Sequence, residues 1–545
     1  MLSSDQSPRI IPTIRGFSVS YRGLNLLSTI NPVAGAERIA GTVVPEERTL
    51  YFCPSPLFGY GLALLSERLG PDSAILCVEV DENLWKLSAE SSLLQNLLKK
   101  DPRIQWICTK DPDICCTFVW KTWGSRTFRR VKPIHLSGGW SLFPDLYNTL
   151  TEALTQEIAT EWGNAMTLIK LGRRYIKNAI QNLALLPAAV PLPLFGSGPV
   201  LVLGAGPSLD KALDGLGLTF GKTVGSRNFK IICADTCLPA LVARRIQPDL
   251  VVALESQHWN LRDFIGSGFL HSPLAMDLSA ARATVELLGG PVSLFGTLWT
   301  QLHFFDRLRN AQLLPELVPP LGSVGLNAVF LALRLSSGAV ITAGLDFAFS
   351  MDASHARSTP NHLNKLQNQN RFRTLFDADA SFRPGTFTTQ SRDGTTIRTD
   401  IILNTYSAIF KREFSGNPRL FTIKGPGLDV GTVQLSPEDA AQILTAGAEP
   451  PQDPVFSPIV PAIVEKFLRQ EIDALVHLRA ILSGEGDSSE LEPSLDFCDY
   501  LWAHFPECAG REGWRPADSS FLKRVRAEID PFITLFEQSC LEILR

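Results

Sequence analysis

The chain has 545 residues, too many for one core at roughly 100–200 residues per domain, and its 45% hydrophobic content is that of a globular protein. A formal net charge of −4 and a pI near 6.1 supply no general basic face, which argues against nucleic acid as the main partner. The eight histidines lack ligand spacing with a second ligand of the usual type, no Walker A, HExxH or GxSxG occurs, and the ten cysteines show no CxxC pair, so metal and common hydrolase chemistry are poorly supported.

The opening MLSSDQSPRIIPTIRG has no apolar signal-peptide core, and the longest apolar stretch, 183–195, is interrupted by Pro187, Pro191 and Pro193. A cytoplasmic protein with reduced thiols and no membrane span is therefore expected. Residues 1 to about 45 read as a strand-rich lead-in. Thr49–Cys53, the loop PSPLFGYG, Leu62–Leu69 and Ala74–Val78 then follow the order of a Rossmann first unit, and Glu79, Asp81 and Glu82 lie where a ribose could be held. With only Gly59 and Gly61 in that loop, an α/β domain without a cofactor is preferred to one holding a nucleotide or S-adenosylmethionine. From Leu150 to Leu186 apolar residues recur at helical spacing, predicting one connecting helix or two.

The chain is organised around Val200–Glu255. An apolar strand there runs into Gly204-Ala205-Gly206-Pro207-Ser208, where two glycines allow a tight turn, Ser208 and Asp210 can cap the next helix, and outward amides would seat a phosphate. Strands at 231–234 and 250–254 end in Asp235-Thr236 and Glu255, converging on one crevice at the carboxyl edge of an open sheet. His258 beside it reads as a packing or solvent-facing residue. Strands follow at 274–276 and 292–295, and a second anion-seat turn at Gly322-Ser323 opens a helix at 327–335. The strand 339–343 closes in Gly344-Leu345-Asp346 before a polar stretch, 352–395, read as a lid or acceptor-binding loop. It contains His355, and Arg371, Arg373, Arg383, Arg392 and Arg398 could meet a phosphate or carboxylate, although a solvated surface is the plainer account of each. A helix at 400–414, a strand and turn at 421–433, a Pro-rich linker and C-terminal helices around an acidic loop complete the chain.

The stretches LVLGAGPSLD (201–210), IICADTCLPALVARRIQPDLVVALE (231–255) and GSVGLNAVFLALRLSSGAVITAGLDFAFSMDASHA (322–356) resemble, in order and spacing, the central domain of motility-associated factors, the Maf flagellin glycosyltransferases. That domain is similar to archaeal 6-hydroxymethylpterin diphosphokinase and to bacterial sialyltransferases. INPVAGAERI (30–39), PSPLFGYG (54–61) and GPGLDVGT (425–432) extend the resemblance over roughly 30–432. The pattern of elements predicts an α/β protein with an N-terminal Rossmann-like domain (1–149), a helical connector (150–198), a central domain (199–435), a linker (446–458) and a C-terminal helical domain (459–545), and the resemblance implies that the central domain is sialyltransferase-like and catalytic. The implied reaction moves a nonulosonic acid of the pseudaminic or legionaminic type from its CMP-activated form to Ser or Thr of flagellin, with no metal required.

By the same resemblance Gly204, Gly206, Pro207 and Ser208 would hold the nucleotide, Asp235 and Thr236 the ribose or cytosine, and Gly322 and Ser323 the phosphate or sugar carboxylate. Gly344 and Asp346 would line the same site, His355 would be the general base, and Asp235 and Glu255 would complete the catalytic set. Glu255 stands where Asp is expected in relatives. A magnesium-dependent pterin diphosphokinase, with Asp235, Asp249 and Glu255 around the metal, and a non-catalytic flagellin-binding factor are the alternatives. The C-terminal helices suggest partner binding or a homo-oligomer.

Overall fold

Short runs of apolar residues, buried on both faces, become the parallel strands of two sheets, each covered by helices on both sides. The computed structural model describes residues 7–218, 227–350, 353–375, 383–445, 458–510 and 518–544. The chain divides into two units, 1–171 with 503–517 and 172–502 with 518–545. Among the described residues no helix is long and apolar enough to cross a membrane.

The first unit opens with an antiparallel meander of β1 (Arg9–Pro12), β2 (Phe17–Tyr21) and β3 (Leu24–Asn25). The strand-rich reading of 1–45 overlooks α1 (Pro32–Thr42), whose start is signalled by Pro32 and by Asn31, which accepts from the Ala34 amide. There follow β4 (Thr49–Pro54), α2 (Leu62–Arg68), β5 (Ala74–Glu79), α3 (Glu82–Ala89), α4 (Ser92–Lys100), β6 (Ile104–Cys108), α5 (Pro112–Trp123) and β7 (Arg130–Pro133). The four strands form a parallel sheet in the order β6-β5-β4-β7. Leu50, Phe52, Leu76 and Val78 pack with α5 and with α6 (Pro144–Leu183), while Tyr51, Cys53, Ile75 and Cys77 pack with α1, α2 and α4. The connector is thus one helix of 40 residues, which runs through Gly172 without a break.

Glu79 does not present an open carboxylate to a ribose. Its oxygens accept from the Ser55 and Tyr147 hydroxyls and from the Val80 and Asp81 amides, and it is fully buried. Asp81 caps α3 by accepting from the Asn83 and Leu84 amides. The acidic strand end is thus occupied by its own loop.

The second unit holds a nine-stranded sheet. Its elements are β8 (Val200–Leu203), α7 (Leu209–Gly215), β9 (Lys230–Ala234), α8 (Leu238–Ala243), β10 (Leu250–Ala253), α9 (Leu261–Phe264), β11 (Leu274–Asp277), α10 (Ala283–Leu288), β12 (Val292–Gly296), α11 (His303–Asn310) and β13 (Glu316–Leu317). Then come α12 (Val324–Leu335), β14 (Val340–Ala343), α13 (Pro360–Gln367), the hairpin β15 (Thr386–Gln390) and β16 (Thr396–Asp400), β17 (Leu420–Ile423) and β18 (Val433–Leu435). The order β13-β12-β11-β10-β9-β8-β14-β17-β18 runs outward in both directions from β8, so the chain reverses its direction of travel between β8 and β14. Ligands of such sheets bind at that reversal, outside the carboxyl ends of the strands. α12 packs across β8, β9, β10 and β14 and shares the main core with Val200, Val202, Ile232 and Val252.

Two readings of this unit need correction. The stretch 352–395 is not a plain loop, because α13 and β15 lie within it; Asp352 and residues 376–382 are outside the described residues. The C-terminal helices Pro461–Leu482 and Ser519–Ile543 do not stand apart from the central sheet but share its unit. Arg307 of α11 donates to both oxygens of the buried Glu471, and the Phe304 ring packs 5.3 Å from Tyr500 and 5.9 Å from Phe467. Most of the Pro-rich linker, 446–457, lies outside the described residues.

Candidate functional site

At the reversal point the turn after β8 meets the turn after β14. The Gly204 amide donates to the Ala343 carbonyl and the Gly206 amide to the Gly344 carbonyl. A Cβ on Gly204 would sit 2.5 Å from the Gly344 oxygen, and one on Gly344 would sit 2.3 Å from the Gly204 oxygen. Close approach of two backbones therefore accounts for these glycines. Leu345 extends the junction, since a Cβ on Gly325, at the start of α12, would meet its Cδ2 at 2.6 Å.

The expected phosphate seat at Ser208 already holds a carboxylate. Asp346 accepts from the Ser208 amide at 2.8 Å and from its hydroxyl at 2.5 Å, and pairs with Arg392 at 3.3 Å. Both ion-pair side chains are buried. Burial pushes the Asp346 carboxyl up, opposed by the Arg392 charge and the Ser208 donors, and burial also lowers the Arg392 guanidinium. Ser208 consequently makes no capping bond to α7. Asp210 is not a cap either: its carboxylate pairs with the buried Arg244 at 2.8 Å and accepts from the Arg357 amide. On this side the crevice narrows to an open depression lined by Pro207, Asp346, Phe349, Ser350, Ile397 and Pro426.

His355 lies close to the first turn, because the amide of the next residue, Ala356, donates to the Ala205 carbonyl. Its Nδ1 is 3.0 Å from the Ser354 hydroxyl oxygen. Of the five arginines singled out above, Arg392 is committed to Asp346, Arg383 pairs with Asp400, and Arg398 donates to Thr386 of its own hairpin. Arg371 stacks over Phe372, and the Arg373 amide bonds to Asn370.

The other strand ends build a second, more polar group. Asp235 follows β9 and is fully buried; its Oδ1 accepts from the Thr236 amide, and its Oδ2 has no hydrogen-bond partner among the described residues. Burial raises its carboxyl to about 6. Asp263 of α9 rises to about 7, first through burial and then through the Asp235 charge, while Thr236 lowers it. Glu255 follows β10 and accepts from the Gln257 amide. Its charge acts on two tyrosines, Tyr175 of α6 and Tyr406, both raised chiefly by burial, Tyr175 to about 12. Asn178 donates to the carbonyls of Ser256 and Ser279, tying α6 to the ends of β10 and β11. Ser323 stands at the N-cap of α12 and makes no side-chain cap, and the Tyr406 ring would meet a Cβ on Gly322 at 3.1 Å. His258 is exposed and stacks on Trp259.

Asp249 does not join this group. It precedes β10, pairs with Arg227 and Lys230, and accepts from the Ile231 amide, so it lies at the opposite edge of the sheet from Asp235 and Glu255. One strand length, roughly 13 Å, separates the two edges. Among the described residues no group of three His, Cys, Asp or Glu is placed to hold a metal ion.

Tyr175 and Tyr406 escape a reading of strand ends because helices remote in sequence deliver them, and Asp263 escapes it because it lies on the short helix that follows the strand end. Only the helical spacing that put Tyr406 on an apolar face hinted at its burial. A pH test follows from the carboxyls. Both Asp235 and Asp263 titrate above the 3.8 of an ordinary aspartate, so the folded state binds extra protons and its stability falls as pH rises from about 4 through 7. Asp263→Asn is expected to flatten that fall, read from urea midpoints across this range; an unchanged slope would refute the coupling.

Residues 173–352 match the family model described as 6-hydroxymethylpterin diphosphokinase MptE-like. The chain is also similar to the solved structure of a Maf glycosyltransferase from Magnetospirillum magneticum AMB-1, with a TM-score of 0.55 and 14% identity over 99% of this chain and 93% of that one. The chain thus shares the fold of that Maf glycosyltransferase and carries an MptE-like stretch. An uncharacterized protein of Treponema pallidum (strain Nichols) is 29% identical over 97% of this chain and 95% of its own length. The MptE-like stretch takes in β8 to β14, so the reversal point, both glycine turns and Tyr175, Asp235, Glu255 and Asp263 lie inside it, while Tyr406 lies beyond its end. His355 falls just beyond its end.

Proposed function

We propose that the protein is a glycosyltransferase that moves a nonulosonic acid from a CMP-activated donor to Ser or Thr of flagellin, in support of flagellar assembly. The observation that carries this reading is the anchoring of His355 against the β8 turn, beside a sheet reversal with an uncapped helix start at Ser323. The likeness in fold to a Maf glycosyltransferase supports it. In the reaction the acceptor hydroxyl attacks the anomeric carbon, the bond from that carbon to the phosphate oxygen breaks, CMP leaves with the electron pair, and His355 takes the hydroxyl proton. First-turn amides of α12 would stabilise the departing phosphate without a metal. Asp235 and Thr236 would hold the nucleoside, and Glu255 with Tyr406 and Tyr175 would bound the sugar. Gly204, Gly206 and Gly344 serve by shaping the junction, and Ser208 and Asp346 by locking it.

The family model's description favours a second reading, a pterin diphosphokinase with Mg²⁺. Its metal set would have to omit Asp249. Calorimetric titration with CMP, with ATP plus Mg²⁺ and with S-adenosylmethionine separates the readings. CMP binding that Asp235→Ala weakens at least about tenfold is expected, together with a mass increase of flagellin that His355→Ala abolishes. Binding of ATP with Mg²⁺ but not CMP would overturn the transferase in favour of the kinase.

A further inference from the structure

Four side chains from four separate segments gather at the carboxyl edge with hydrogen-bonding atoms left over. Trp299, in the loop after β12, has its ring centroid 5.0 Å from that of Tyr175 on α6. Tyr406, on the helix Ile401–Phe414, lies against the start of α12 at Gly322. The Glu255 charge reaches both tyrosines, and Tyr406 acts in turn on Tyr175. All four residues are half-buried. One Glu255 oxygen accepts from the Gln257 amide; the other, the Tyr175 and Tyr406 hydroxyls and the Trp299 indole N–H have no hydrogen-bond partner among the described residues. Rings that serve packing alone normally pair such polar ends, whereas rings with several uncommitted polar atoms beside them have the make-up of a ligand site. Trp299 is also held in place. The Thr297 amide and hydroxyl donate to the buried Asp277, the Trp299 amide donates to the Thr297 carbonyl at 3.0 Å, and the Trp299 ring stands edge-on, at 90°, to the buried Phe305. Asn178, three residues after Tyr175 on α6, fixes that helix to the ends of β10 and β11. The wall is therefore set before anything binds.

We infer that Trp299, with Tyr175 and Tyr406 beside it, is the wall against which the sugar of the donor lies, and that Trp299 sets which sugars are accepted. The inference rests on the glycosyltransferase reading and adds Trp299 to it. A sugar ring offers C–H bonds on its faces and hydroxyls around its edge. The C–H faces suit the electron-rich faces of aromatic rings, and the hydroxyls suit two phenols and a carboxylate. Glu255 also orients the sugar, since it repels the carboxylate of a sugar acid and turns the hydroxylated side toward itself. A planar base would cover the rings but leave the phenols and the carboxylate without hydroxyls to bind.

The test is calorimetry on the full chain, comparing CMP with CMP-activated nonulosonic acids of the sialic, pseudaminic and legionaminic types, for wild type, Trp299→Ala and Trp299→Phe. At least one CMP-sugar should bind wild type about tenfold more tightly than CMP does. Trp299→Ala should lose that gain while binding CMP as wild type does, which also shows that the fold is intact. Trp299→Phe, which keeps a ring, should recover part of the gain. A gain that survives in Trp299→Ala overturns the wall and leaves the transferase standing. So does equal weakening of CMP and CMP-sugar in Trp299→Phe, because the ring then holds the nucleotide, and so does a wild type that binds CMP and every CMP-sugar alike. Wild-type protein that binds neither CMP nor any CMP-sugar overturns the glycosyltransferase reading itself, and the wall with it.

Discussion

Gly344→Ala is expected to be among the most destabilising single substitutions in the second unit, at about 3–5 kcal/mol. Two costs coincide there. Gly344 has φ +70, a conformation L side chains rarely adopt, and its added Cβ would lie 2.3 Å from the Gly204 oxygen and 3.0 Å from Leu209 Cβ. The neighbours are backbone and core, so neither can swing aside. Gly416 serves as the control: its φ is +76, but nothing lies within 4 Å of an added Cβ. Gly416→Ala should cost only the conformational term, about 1 kcal/mol. Urea unfolding of both variants checks this, and equal losses would mean that the meeting of the two strand ends is not what holds the junction.

Arg392→Met is the second large effect. It leaves Asp346 buried with the Ser208 donors but without its cation, and breaking a buried pair costs about 3–5 kcal/mol. The loss carries a pH signature. Burial already holds the Asp346 carboxyl above 3.8, and removing Arg392 takes away what opposes that rise. A folded value above the unfolded one means that the folded state binds the proton more tightly, so the carboxyl's contribution is fullest below 3.8 and is lost as pH rises. The deficit relative to wild type should shrink as pH falls from about 7 toward 4. The double variant with Asp346→Asn should recover part of it at neutral pH, since no charge is then stranded. Wild-type stability of Arg392→Met at pH 7 would refute the pairing.

These two positions show where reading the chain reaches and where it stops. Glycines at 204, 206 and 344 are legible as turn residues, because only glycine permits such turns cheaply. What the turns approach is not. The same residues that suggest a phosphate seat are explained by a second strand end lying against the first, and the amide offered to a ligand is taken by Asp346, 138 positions away in sequence. Asp249 fails in the same way. A carboxylate four residues ahead of a strand's end and one just after it look adjacent in the sequence, but the strand between them places them at opposite edges of the sheet.

Alternation between apolar runs and helical periods, with glycine-bearing turns at fixed places, determined by itself the two parallel sheets, their approximate strands and the carboxyl edge to inspect, since these depend on local pattern and on burial of both faces. Strand order, the reversal between β8 and β14, the Asp346–Arg392 lock, and the delivery of Tyr175, Tyr406 and Asp263 beside Asp235 and Glu255 were decided only by the tertiary structure. They depend on which distant segments pack together. That choice is made by the complementarity of whole faces, which no window of the sequence contains.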